Sequence, residues 1–139
     1  MEFLSKHSYK TLYLAWGTLF VLTAALGLLF PGAQNGLGLF CLRAVTVLFF
    51  LPPWMILAKA RAEGVAFHTR LLRYLSLASL AMTLVLFCAG ILTAVDNPAL
   101  GDLIHVLMAI VCAPLVCSNF YVLPMFLWGT VLAASFRKK

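Results

Sequence analysis

Charge is what this sequence has least of. Only 10% of its 139 residues are Asp, Glu, Lys or Arg, four of them acidic, against 64% that are hydrophobic. A soluble domain of this length turns roughly a third or more of its residues to water, and so thin a polar supply excludes that class. The four acids, Glu2, Glu63, Asp96 and Asp102, all fall at the edges of the apolar runs. Proton- or cation-coupled export usually needs a carboxylate deep in a span, so a carboxylate-driven exporter is disfavoured. No G-x-x-x-x-G-K, G-x-S-x-G or zinc-protease pattern occurs, which leaves soluble catalysis without a seat. Nor is there a C-x-x-C. Cys41, Cys88, Cys112 and Cys117 lie inside apolar runs, as small packing residues do, and a membrane thiol oxidase is unsupported. A Cys41–Cys88 contact stays open, because both fall in the same outer half.

Long apolar runs fill the space left. They cover about residues 11–30, 37–58, 71–95 and 103–135, each long enough for the ~20 residues of helix that cross a bilayer. The expected fold is all-α and integral to the membrane: four transmembrane helices in an antiparallel bundle, forming one domain over 1–139.

The net charge is +6, and its distribution explains it as topology rather than nucleic-acid binding. Lys6 and Lys10 precede the first run. Lys59, Arg61, Arg70 and Arg73 separate the second from the third, and Arg137, Lys138 and Lys139 follow the last. The turns at 30–36 and 95–102 carry neither Lys nor Arg. Basic residues stay on the cytoplasmic side. Both termini are therefore expected inside, in the plasma (cytoplasmic) membrane, with two short hairpins outside.

Along the first run, Tyr9, Tyr13 and Trp16 read as an interfacial belt, and Thr23 with Gly27 as a small-residue pair for close helix approach. The run is too long for a secretory leader and no small-x-small cleavage pattern follows it. In the second, Pro52-Pro53 implies a kink near 48–51. Either the helix continues kinked to Lys59, or it ends near Leu51 and a short interfacial helix starts at the prolines. In the third, Ser76, Ser79 and Thr83 form a small-polar stripe suited to helix contact, and Asp96-Asn97-Pro98 ends it. The fourth, 103–136, is about 51 Å as continuous helix, with Pro114 and Pro124 interrupting it. It is one tilted, proline-kinked span, or two short ones turning near Ser118-Asn119. The charge rule favours one, since two would carry Arg137–Lys139 outside. The two hairpins share a proline-broken return leg, a weak hint of duplication.

Two sets of polar residues call for an account. Arg43 lies about two turns below the first outer turn, at the depth of Asp96 and of Asp102 and His105, which share a helix face. A charge at that depth either snorkels to the headgroups or belongs to a site, and pairing with one of the carboxylates is the structural alternative. The second set is the helix break at Pro114, Ser118 and Asn119, where freed carbonyls either bind a substrate or are satisfied by neighbours. Asp102 and His105 supply only two metal ligands. His7 and His68 lie on the opposite side from His105, against a bis-histidine haem. No metal or cofactor is expected. The function expected is a non-enzymatic, oligomeric transport- or channel-type unit, or an accessory subunit of a larger membrane complex, in contact with the lipid bilayer. The alternative is an enzyme or binding protein acting on a lipid headgroup at the outer surface, with Arg43 holding phosphate and Asp102 and His105 as acid–base pair.

Overall fold

A computed structural model of the chain describes residues 8–30, 36–96, 98–118 and 122–136, and its regular structure there is helical throughout. In order, the elements are α1 (Tyr9–Leu29), α2 (Gly36–Phe49), α3 (Leu51–Ala62), α4 (Ala66–Asp96), α5 (Pro98–Val111), α6 (Ala113–Ser118) and α7 (Val122–Phe136). Three stretches, Tyr9–Leu29, Gly36–Ala62 and Ala66–Ala89, are long and apolar enough to cross a membrane.

Proline sets where the helices begin. Pro52 and Pro53 stand in the first turn of α3, Pro98 opens α5, and Pro114 and Pro124 lie in the first turns of α6 and α7. A first-turn residue has no carbonyl of its own helix to bond, so the missing N–H costs nothing there. The break it makes behind it is short. Between α2 and α3 only Phe50 intervenes, its N–H on the Val47 carbonyl at 3.1 Å, and the Trp54 N–H then bonds the Phe50 carbonyl at 3.3 Å. The second run thus resumes as helix at once and continues to Ala62. Between α5 and α6 only Cys112 intervenes, and its N–H still reaches the Met108 carbonyl at 2.8 Å. The fourth run is accordingly three helices. At 1.5 Å per residue α5 and α7 are about 21 and 22 Å long, each short of the ~30 Å hydrocarbon layer. The junction of α6 with α7, Asn119 included, lies outside the described residues.

The basic stretch between the second and third apolar runs is itself mostly helical. α3 carries Lys59 and Arg61, α4 carries Arg70 and Arg73, and the turn between them spans only Glu63 to Val65. Gly64 makes so short a turn possible. It sits at φ 71°, where L side chains are strained. Its N–H bonds the Arg61 carbonyl at 3.4 Å and the Val65 N–H bonds the Ala60 carbonyl at 2.9 Å, the paired bonds of a Schellman ending.

Packing is layered along the bundle. Nearest the α3–α4 turn, Leu12, Ile56, Leu57 and Leu72 form an aliphatic layer. Phe49, Phe50, Trp128 and Val131 form an aromatic layer beyond it. Ile104, Met108 and Cys112 close against Leu86 and Ala89 in a third. The buried set also includes Thr23, Thr46, Ser76, Thr83 and Ser118, whereas Leu14, Val21, Leu77, Leu84, Val85 and Ile91 stand exposed. Small polar groups inside and large aliphatic ones outside invert the pattern of a water-soluble bundle, as packing in lipid does. Along α1, Thr18 donates to the Ala15 carbonyl at 2.8 Å and Thr23 to that of Phe20 at 2.9 Å.

Candidate functional site

A set of polar side chains, Tyr9, Tyr13, Lys59, Glu63, His68, Arg73 and Ser135, converges where α1 begins, α3 turns into α4, and α7 ends. Glu63 is the organiser. It caps α3, its Oε2 accepts from the Tyr9 hydroxyl at 2.7 Å, and its Oε1 lies 3.6 Å from Lys59 Nζ. Lys59 is only 7% exposed, and an ammonium so enclosed needs compensation. Glu63 supplies counter-charge, and the Tyr9 ring lies 5.0 Å from Nζ at centroid, within cation–π range. His68 also stacks on Tyr9: its ring is 4.0 Å from that of Tyr9 at 18°, and its Nδ1 shares a 3.0 Å hydrogen bond with the Tyr13 hydroxyl. Tyr9 and Tyr13 are one helical turn apart on α1, so both reach the same partner.

A second anchor lies beside this network. Arg73 Nη2 donates to the Ser135 carbonyl at 2.7 Å, and its guanidinium sits 4.1 Å from the Phe136 ring centroid. The carbonyls of the last turn of α7 have no intrahelical donors, and a cation there satisfies both the orphan acceptor and the helix dipole. These contacts join the beginning of α1, the α3–α4 turn and the end of α7 at one end of the bundle.

Around Arg73 opens a groove of about 600 Å³, lined by Ala60, Arg61 and Gly64 on one side, Thr69, Arg70 and Arg73 on α4, and Ser135 with Phe136. A second groove, about 440 Å³, runs between α1 and α4. Trp16, Phe49 and Trp128 form its aromatic floor, while Gly17, Ala78 and Ser79 keep its rims low. The predicted Ser76–Thr83 stripe divides here. Ser76 and Thr83 are buried within the bundle, with Thr83 donating to Cys112 Sγ at 3.4 Å, and Ser79 faces the groove.

The residues singled out from sequence fall as follows. Arg43 is exposed on α2, which packs on α1 and α6; Asp102 is exposed on α5, which packs mainly on α4 and α6. Both helices also pack on shared neighbours, α6 and α1, without substantial direct packing of α2 on α5 among the described residues. Asp96 ends α4, and its side chain and that of His105 lie outside the described residues. Pro114 and Ser118 are both buried on α6. Beside them the Thr46 hydroxyl bonds the Leu42 carbonyl at 3.0 Å and lies 3.5 Å from that of Pro114, and Cys117 Sγ reaches the Leu42 carbonyl at 3.8 Å. The described part of the helix break is thus packed against α2. The Tyr9–Tyr13–His68–Glu63–Lys59 network escapes sequence reading because its partners are 54 and 55 residues apart. Its one legible trace is the tyrosine pair, Tyr9 and Tyr13, at the start of the first apolar run.

No protein-family model matches the chain, and neither does any curated protein or solved structure.

Proposed function

We propose that the chain is a four-span membrane protein with both termini on the cytoplasmic side, acting without catalysis as a protomer of a larger membrane assembly of the transport or accessory type. The observation that carries the assembly reading is the groove between α1 and α4. Small residues on its rims, Gly17 and Ala78 and Ser79, allow a neighbouring helix to approach closely, which is how helices associate where lipid is as apolar as they are. A Cβ built on Gly17 meets nothing within 4 Å, so that rim is open to a partner. The four-span arrangement draws support from the meeting of α1's beginning, the basic turn and α7's end at one end of the bundle. The reading in which Arg43, Asp102 and His105 act on an outer headgroup has weaker support, since α2 and α5 share neighbours without packing substantially on each other.

The test is disulfide trapping in native membranes. Gly17→Cys and Ala78→Cys, each in a background with the four native cysteines replaced, are oxidised and run without reductant. Cross-linked species at both positions, absent for a cysteine on the distal exposed face at Leu84, support the assembly reading. A chain that stays monomeric at every position rejects it.

A further inference from the structure

We propose that the arginine-lined groove at the α3–α4 turn binds the phosphate of an anionic lipid headgroup. Three guanidinium groups, of Arg61, Arg70 and Arg73, border one cavity of about 600 Å³, and none of its described lining residues is acidic. Arginine's planar fork matches phosphate oxygens two at a time. Arg73 already donates from Nη2 to the Ser135 carbonyl and from Nε to the Ser135 hydroxyl, which fixes its guanidinium at the groove rather than withdrawing it.

The backbone adds to the same field. Ala66 and Thr69, from the first turn of α4, form a wall of the groove. That turn contains no acidic residue, and Val65 before it has no side-chain acceptor. The N–H groups of Ala66, Phe67 and His68 therefore lack partners on their own helix, at the positive end of a helix 31 residues long. Anions bind such termini when side-chain cations accompany them. Glu63, the nearest carboxylate in sequence, is turned to Tyr9 and Lys59 instead.

A lipid, rather than a free phosphate, follows from what flanks the groove. Phe67 and Tyr74 are 67% and 68% exposed on α4 on either side of Arg70, and aromatic side chains in that position sit at headgroup level. Basic pockets between helices at that level are the usual seats of anionic headgroups. The inference needs only that this end of the bundle lies at a membrane interface, so it stands apart from the assembly and from which side that interface faces.

The experiment is native mass spectrometry of the purified full-length chain in mild detergent, titrated with phosphatidylglycerol or phosphatidylcholine. The wild type should retain phosphatidylglycerol at roughly tenfold lower concentration than phosphatidylcholine, one charged hydrogen bond's worth of affinity or more. Arg70→Gln, an exposed position whose loss leaves the core untouched, should remove most of that preference, and Arg61→Gln with Arg70→Gln all of it. Arg43→Gln, a cation at the other end of the chain's hairpins, should leave it intact. Inorganic phosphate at millimolar concentration should not displace the lipid. Equal retention of the two lipids, an unchanged preference in the double variant, or displacement by inorganic phosphate alone would each overturn the proposal. Circular dichroism and a monodisperse elution profile establish that each variant is folded.

Discussion

Replacing Glu63 with Gln tests the polar network at its centre, because it removes charge and little else. The Gln carbonyl still accepts from the Tyr9 hydroxyl, so the change isolates what the carboxylate does for Lys59. Lys59's side chain is 9% exposed and that of Glu63 44%. Removing one partner of a fully buried pair costs about 3–5 kcal/mol, and removing one from the surface about 0–1 kcal/mol. With one member enclosed and the other half open, and with 3.6 Å between the charged atoms, the expected loss is about 2 kcal/mol. The sign then reverses on a second change. Lys59→Met in the Glu63→Gln background removes the enclosed ammonium and keeps its aliphatic volume, and should restore at least half of the loss. Reversible unfolding in mixed micelles of a mild detergent and dodecyl sulfate, followed by tryptophan fluorescence, measures both. A Glu63→Gln variant within ~0.5 kcal/mol of wild type, or a double variant no more stable than the single, would refute the claim that Lys59 is enclosed and held by this carboxylate.

Three further outcomes follow from the packing. Gly64→Ala should lose about 1 kcal/mol in the same unfolding assay, from the 71° φ alone, because the added Cβ meets nothing within 4 Å; equal stability would mean the turn is made differently. Trp128→Ala should cost about 3 kcal/mol, since its ring packs at 5.1 Å on Phe50 and 6.2 Å on Phe49, whereas Trp54→Ala, 40% exposed, should change stability little. Arg73→Met should speed amide hydrogen exchange in the last turn of α7 by an amount corresponding to about 1 kcal/mol, with the middle of α7 unaffected.

How far the sequence carries depends on which physical term dominates a given stretch. The first apolar run is legible to within two residues at its start, because nothing inside Tyr9–Leu29 competes with an uninterrupted backbone ladder. The basic segment is only partly legible. Charge marks it as lying between the apolar runs, yet Lys and Arg are good helix formers, and a single glycine at positive φ suffices to reverse the chain. Proline positions were legible as breaks. That Pro52, Pro53 and Pro114 fall in first turns, so that the helix resumes immediately, follows from backbone hydrogen bonding rather than from hydropathy. The basic-end network was not legible, because Tyr9, Glu63 and His68 come together only through tertiary packing of α1 on α3 and α4. Hydropathy ranks depth, and it carries no information on which side chains at one depth touch.

The account rests most heavily on the basic end of the bundle facing the cytoplasm. A fluorescent or enzymatic reporter fused after Lys139, paired in a second chain with the same reporter inserted at Asn97, reads the sidedness of both ends in intact cells. Signal from the cytoplasm for the first fusion and from outside for the second is the expected result. A cytoplasmic signal at Asn97, or an external one after Lys139, would contradict it.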